Sequence, residues 1–454
     1  MTPLIIPPLL DHTVDFRDGA TGALDLNAHF LSRAARDFPT GSDPLTALFA
    51  AASAQILVRP ERGFAHLRAL TFAVRAMGAA DPALRTAADD VEIVGGTTES
   101  SADVRSAAAR STLFAPEVEH ALETFPSGPV AVLVETDQQL PAAVALANRL
   151  GPLRVRLCGT FAHTHRTVLM EMLPGARVSP TAPPMGEVRG EWSGGEPVAW
   201  PRHPRDWRPG RPWAAWWDAS AASTISSQAA ENCRGLVVTA ARWESDDRVT
   251  GADGAVTDLS ALGVLPAVEL LVGAPGVGAG EVSRTARALA AEGRLAGLRP
   301  FRLGTGPDHW EVTRLPAPTG HDLPRWSPFT APATMTRDEC DAVIRDLLLD
   351  TASLTELFPG RFAGCAVLRG AERSRWNSSA AVVTTDGTGP DGRGPGDFVV
   401  NLRSGSAFRL HPKLAPVVRR LSRGDHAVLD RLPHRTRGKL SDQLVRAGAW
   451  QAPA

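Results

Sequence analysis

Apolar and polar positions along this chain repeat at two periods, and the changes of period mark out its elements. Apolar residues recur at three-four spacing through Leu45, Leu48, Phe49 and Ala52, and again through Leu67, Leu70, Phe72 and Val74, which predicts helices. The serine-rich, charged run from Thr97 to Arg110 predicts a solvated helix. At residue 130 the pattern changes. Val130 to Val134 is a continuous apolar run ending in Glu135, Thr136 and Asp137, the form of a buried parallel strand entering a loop. A helix is expected over 140–150 and closes at Gly151-Pro152. A strand over 155–159 and a helix from Arg166 to Leu173 follow, stopped by Pro174-Gly175.

Strand and helix alternating at this spacing predict a Rossmann-like αβ unit. Open parallel sheets bind ligands beyond the carboxyl ends of their strands. The candidate cofactor-binding residues are therefore Glu135, Thr136, Asp137, Cys158, Gly159, Thr160 and Phe161. The alternation continues further on. Strands are expected over 235–240, 268–273 and 300–304, with a helix from Ala279 to Ala290 between the last two. Between Trp243 and Leu265 there is room for a loop and one short helix. Residues 233–380 number only 148, against the roughly 250 that a full eight-stranded barrel takes, so any barrel here is partial. The reading is an α/β chain with five parts: 1–175, a helical region and the αβ domain; 176–217, a connector rich in Pro and Trp; 218–383, a partial βα barrel; 384–397, a Gly/Pro linker; and 398–454, a small winged-helix-like module. In the last part, 398–402 and 407–410 form a hairpin, and helices run from Pro412 to Leu421 and from Thr436 to Gly448. In the connector, Trp192, Trp200, Trp207, Trp213, Trp216 and Trp217 are read as anchors of an irregular segment.

Composition narrows the function. Lys and Arg total 48 against 49 Asp and Glu, a net charge of −1, which disfavours a chain built to coat nucleic acid or an acidic membrane. The N-terminus lacks a basic segment before its apolar run, and no long uncharged apolar stretch exists, so a cytoplasmic location is expected. There is no tyrosine to serve as an acid or base. The four cysteines, at 158, 233, 340 and 365, form no close pair, so no local zinc or iron–sulfur motif exists.

The run Gly273-Ala274-Pro275-Gly276-Val277-Gly278-Ala279-Gly280 has P-loop glycine spacing. Ala279 stands where the lysine is needed and Gly280 where the hydroxyl should hold magnesium, so nucleotide hydrolysis is not expected. His163 and His165 would share a face of an extended segment, but no third metal ligand follows at motif spacing. The pairs Asp308-His309, His321-Asp322 and Asp425-His426 have no nucleophile pattern beside them and are read as surface residues.

In its wider context the segment from Val268 to Gly276, followed by a helix and Arg299-Pro300-Phe301-Arg302-Leu303, resembles an inner strand of radical SAM barrels. Three further pieces stand in the matching order. The unit at 128–175 resembles the cobalamin-binding half-domain that precedes many such barrels, Val188-Arg189-Gly190-Glu191 resembles the segment that closes it, and Trp217 to Ser220 with Ser226-Ser227 resembles the lead-in to the cluster loop. The resemblance covers roughly residues 125–315. It implies cobalamin as a possible cofactor and adds Gly273 and Gly276 to the cofactor-binding candidates. The family's CxxxCxxC loop is missing: only Cys233 is present, with Val237 and Ala240 at the other ligand positions, so no [4Fe–4S] cluster is expected.

The C-terminal module resembles the PqqD-like elements that bind leader peptides of ribosomally made, modified peptides. That resemblance implies recognition by strand addition, with Phe398, Val400, Leu402, Phe408, Leu410, Leu414, Val417 and Val418 as peptide-binding candidates. The expected function is a non-catalytic, peptide-binding accessory protein with a precursor peptide and a tailoring enzyme as partners. The alternatives are a cobalamin-binding methyl-transfer enzyme, and a winged-helix regulator using the basic tail residues Arg419, Arg420, Arg423, Arg431, Arg435, Arg437 and Lys439.

Overall fold

The computed structural model describes residues 2–8, 22–59, 64–86, 90–183, 189–191, 197–201, 203–243, 247–250, 254–304, 310–332, 334–350 and 376–450. The protein is mixed α/β with parallel sheets. It divides into two compact units, residues 1–32 with 81–369 and residues 33–80 with 370–454.

Two parallel sheets build the first unit. One runs in the order β2 (Ala23–Asp25), β1 (Leu4–Ile6), β5 (Val130–Leu133), β6 (Val155–Cys158), β7 (Arg177–Ser179). Every neighbouring pair in it is parallel. Counted within the sheet, the order is 2-1-3-4-5, so chain direction across the sheet reverses between β1 and β5. A separate hairpin, β3 (Leu84–Thr86) and β4 (Val91–Ile93), precedes the helix Ser101–Arg110. That helix begins at Ser100, whose hydroxyl accepts from the Asp103 N–H and so satisfies one of its free amide donors.

The other sheet runs in the order β15 (Leu295–Pro300), β14 (Ala267–Val272), β11 (Cys233–Ala240), β10 (Trp213–Asp218), β9 (Pro197–Ala199), β8 (Arg189–Glu191). A separate short ladder pairs β16 (Thr313–Arg314) with β17 (Phe329–Thr330), and the larger sheet is parallel except for the antiparallel edge strand β8. Period-two alternation divides its residues between two faces. Trp213, Ala215, Trp217, Leu236, Val238, Val268, Leu270 and Val272 pack with the helix Ala279–Ala291 and with Ile344 and Leu347 of the helix Arg337–Asp350. On the opposite face Ala214 joins Leu4, Ile6, Leu133 and Cys158 of the first sheet.

Several expectations are corrected here. The connector 176–217 supplies β7, β9 and most of β10, and Trp200, Trp213 and Trp217 are core residues. A boundary at 217 would cut through β10. The expected strand over 300–304 lies upstream, at Leu295–Pro300, because Leu295, Ala296 and Leu298 are the buried residues there. Between Trp243 and Leu265 the chain forms a hairpin, β12 (Arg248–Thr250) and β13 (Val256–Asp258), rather than a short helix. Trp192, Val188, Cys365 and the pair Asp308-His309 lie outside the described residues.

The second unit holds one antiparallel sheet of β18 (Ala380–Thr385), β19 (Gly396–Asn401) and β20 (Ser406–Arg409), in that order. The run 384–397, expected to be an interdomain linker, is the loop of the β18–β19 hairpin. Arg409 holds it with two bonds to the Asp391 carboxylate, 2.7 and 2.8 Å, and further bonds to the Gly394 and Pro395 carbonyls. One face of the sheet packs Ala381, Val383, Phe398 and Val400 against Leu48 and Ala52 of the helix Pro44–Leu57. The other packs Val382, Val399 and Leu410 against Val418 and Leu421 of the helix Ala415–Leu421, and against Leu440 and Leu444 of the helix His434–Arg446. Pro416 sits in the first turn of its helix, where a missing N–H costs nothing.

Candidate functional site

The carboxyl edge of the first sheet brings together most of the expected cofactor residues, but as a closed structural joint. Gly159 has φ +112, and a Cβ there would stand 2.6 Å from the Val134 carbonyl oxygen. The absent side chain is therefore used by the neighbouring strand, not by a ligand. The Glu135 carboxylate accepts from the Thr160 N–H at 3.1 Å, which places a negative charge at the start of the helix Thr160–Thr164. The Glu135 N–H donates to Gln139 Oε1 at 2.8 Å, and Gln139 Nε2 reaches the Pro7 carbonyl at 3.2 Å, tying β5 to β1 at the reversal point. Cys158 and Phe161 are buried, and desolvation pushes the Cys158 thiol up to about 12.

A second segment of the same unit covers this edge. Glu99 accepts from the Arg325 N–H at 3.0 Å and bonds the His321 ring at 2.8 Å. Asp322 accepts from the Ser101 N–H and hydroxyl at 2.8 and 2.6 Å. Leu323 is fully buried, and its N–H donates to the Glu99 carbonyl. His321 is half-buried and Asp322 exposed, as surface residues are expected to be, and both also clamp the segment through these bonds. His165 packs on Phe161 with ring centroids 4.4 Å apart, and burial lowers its pKa against the opposing influence of the Pro324 carbonyl and the Asp322 and Glu99 carboxylates. His163 is exposed while His165 is buried, because both stand on a helical turn where residues two apart diverge. No group of three metal-ligating side chains occurs among the described residues. At this edge Gly159 is used by the Val134 carbonyl and Glu135 by the Thr160 N–H, so these two expected cofactor residues have structural partners within the protein.

Gly273 and Gly276 are turn and packing positions. A Cβ on Gly273, at φ +87, would meet Cys340 Sγ at 2.3 Å, so the glycine lets the helix Arg337–Asp350 approach β14. Gly276, at φ +73, offers its carbonyl to Arg242 Nη2 at 2.6 Å. Cys233 begins β11 and packs beside the core of the second sheet. Desolvation pushes its thiol up to about 12, far from a metal-binding thiolate.

In the second unit, β19 is the central strand and cannot accept another chain. Phe398, Val400, Leu410 and Val418 are buried in the two cores. Leu402, Phe408, Leu414 and Val417 are half-buried. The two edges of the sheet differ. The Ser379–Leu402 bond fixes the alternation of the β18–β19 ladder and leaves the Ala380 and Val382 carbonyls facing outward. Both are taken: Gln55 Nε2 donates to Val382 at 3.1 Å, and Arg59 Nη2 and Trp376 Nε1 each donate to Ala380 at 3.1 Å. On β20 the Asp397–Leu410 bond places Phe408 and Ser406 in the ladder and turns the backbone groups of Ala407 and Arg409 outward.

One cluster of the first unit escaped sequence reasoning. Arg299 and Pro300 end β15, Arg302 follows it, Leu271 lies one residue before the end of β14, and Arg325 and Trp326 belong to the segment bonded to Glu99. With Asp90 and Gln138 they line a cavity of about 310 Å³. On the sheet face behind it, Glu269 is 1% exposed and pairs with Arg299 at 3.0 Å. Thr239 donates to Glu269 at 2.9 Å and receives the Trp216 indole N–H at 2.6 Å. The signal for this cluster was the polar Glu269 inside an otherwise apolar strand. No family model, curated protein or solved structure matches this chain.

Proposed function

We propose that the chain is a non-catalytic peptide-binding accessory protein of modified-peptide maturation, built on a scaffold that resembles radical SAM proteins without their cluster loop. The observation that carries this reading is the asymmetry of the sheet in the second unit. On its β18 edge the Ala380 and Val382 carbonyls are taken by side chains, whereas β20 turns Ala407 and Arg409 outward beside the half-buried apolar residues Phe408, Leu414 and Val417. An extended peptide pairing with β20 would gain main-chain bonds from the edge and selectivity from those side chains. The binding strand of this proposal is therefore β20, and of the expected residues only Phe408, Leu414 and Val417, with Leu402 nearby, are accessible enough to contribute. The regulator reading loses support from the same region, since Arg419, Arg420 and Arg437 are paired with Asp397, Asp425 and Asp430.

The test is a titration of the full-length protein with leader segments of precursor peptides encoded beside its gene, and with short duplex DNA, at two salt concentrations. Strand addition resists salt, whereas phosphate-backbone binding falls steeply with it. Ala407→Pro removes an outward N–H without touching a ladder bond, so it is expected to weaken peptide binding by about tenfold, the equivalent of one lost hydrogen bond. Salt-sensitive DNA binding without peptide binding would overturn the accessory reading in favour of a regulator.

A further inference from the structure

The arginine-lined cavity is built wholly from residues of the first unit and asks for a different ligand from an extended peptide. Its charges are not evenly matched. Arg299 has Glu269 as its partner at 3.0 Å, and Arg325 Nε faces Asp137 at 3.5 Å. Arg302 has no carboxylate within ion-pair distance among the described residues. Its contact is the Trp326 ring, 5.8 Å from the guanidinium, and Arg325 lies over the same ring at 4.8 Å. Arg302 is exposed on one side; partial desolvation, then the proximity of Arg325 and Arg337, pulls its pKa down, while Asp90 pulls the other way. Positive charge therefore exceeds its local compensation at Arg302.

Two of the three guanidiniums are held in place from behind. Glu269 is buried and anchored through Thr239 to Trp216, which fixes Arg299 on the floor. Asp137, bonded to the Thr98 hydroxyl, faces the Arg325 guanidinium at 3.5 Å, and Arg325 is positioned through its backbone N–H, which donates to Glu99. Such preorganisation lowers the ordering cost of binding. The opposite wall differs in character. Gln138 donates to Asp90 there, giving acceptor groups suited to a hydroxyl-bearing body and repulsive to a second anionic end. Leu271, Pro300 and Trp326 supply apolar surface between the two ends.

We propose that this cavity binds a small molecule carrying a phosphate or diphosphate group, with the phosphoryl oxygens on Arg299, Arg302 and Arg325 and the rest of the ligand toward Gln138 and Asp90. Guanidinium forks match the oxygens of phosphate two at a time, which a scattered set of lysines would not. The volume, about 310 Å³, is at the small end of ligand pockets.

The test is calorimetric titration of the full-length protein with pyrophosphate, inorganic phosphate and citrate. Pyrophosphate is expected to bind saturably and more tightly than phosphate or citrate. Arg302→Gln is expected to weaken it about tenfold or more, as the loss of a charge-assisted bond does. Arg105→Gln, on an exposed helix position of the same unit, is expected to leave it unchanged. If Arg302→Gln loses its native melting transition, Arg302→Lys keeps the charge, removes the fork, and is expected to weaken binding too. Absence of saturable heat with both phosphates, or equal affinity in the Arg302 variant and the parent, overturns the proposal. Citrate binding as tight as pyrophosphate overturns the phosphate assignment.

Discussion

Replacing Gly273 by alanine separates a packing glycine from a phosphate-cradling one. The position has φ +87, and a Cβ there would meet Cys340 Sγ at 2.3 Å. Two costs add. A side chain in the left-handed region costs about 1–2 kcal/mol. Forcing a methyl into a filled contact costs about 1–3 kcal/mol more, because Cys340 is buried and its helix must shift. The expected loss is roughly 2–5 kcal/mol. Gly276→Ala provides the internal control. Its φ is +73, but the nearest atom, Arg242 Nη2, is 3.6 Å away, so only the conformational cost of about 1–2 kcal/mol applies. Cys340→Ala removes the clashing sulfur, so the double variant Gly273→Ala/Cys340→Ala should recover most of the steric part, a coupling of about 1–3 kcal/mol. Urea unfolding monitored by circular dichroism gives all four values. Equal losses at 273 and 276, or no coupling between 273 and 340, would show the reasoning to be wrong.

Two further outcomes are expected. Asp81 accepts from the Ala83 and Leu84 N–H groups on one oxygen and from Ser111, Thr112 and Leu113 on the other. Desolvation opposes its charge, but these bonds together hold its pKa below the ordinary value of 3.8. Its stabilisation is therefore present above that value and lost as pH falls through the lower, folded-state pKa. Asp81→Asn should cost about 2–3 kcal/mol at neutral pH, with the difference from the parent shrinking in acid melts; a constant difference would count against the assignment. Anaerobic reconstitution with iron and sulfide should leave the protein far below the roughly four irons of one [4Fe–4S] cluster. Near-stoichiometric iron lost on Cys233→Ala would reverse that expectation.

What the sequence made legible was whatever depends on neighbours in the chain. The helices near 44–57, 140–150, 279–291 and 434–446 stand where apolar spacing placed them. So do β5, β6, β11 and β14, because buried parallel strands are continuous apolar runs. Two short strands on one side of the first sheet were missed. Leu4–Ile6, an inner strand, is three residues long amid prolines, and its edge neighbour Ala23–Asp25 is half-buried and mixed in character. Such strands are defined by their partners, not by a pattern of their own. The helix Pro44–Leu57 was expected as a helix but not in its place, since nothing local says that it covers β18 and β19, more than 300 residues away in the chain.

The same distinction explains the sites. Glycine and proline density at 384–397 reads as a linker, yet one side chain outside the segment, Arg409, gathers it into a hairpin loop. Glu135 and Gly159 were legible as neighbours at a strand end, but their use was not. It depends on the Val134 carbonyl and on the segment at 321–325, which Glu99, some 222 residues earlier in the chain, pins in place through His321 and Arg325. An open sheet edge is a ligand site only while nothing in the chain fills it. Here the segment around 321–326 packs beside that edge and delivers Arg325 and Trp326 to a cavity that no run of sequence encloses. Glu269 was the one residue that betrayed this from sequence. A carboxylate inside an apolar strand is costly to bury unless something charged meets it, and what meets it, Arg299, is the floor of that cavity.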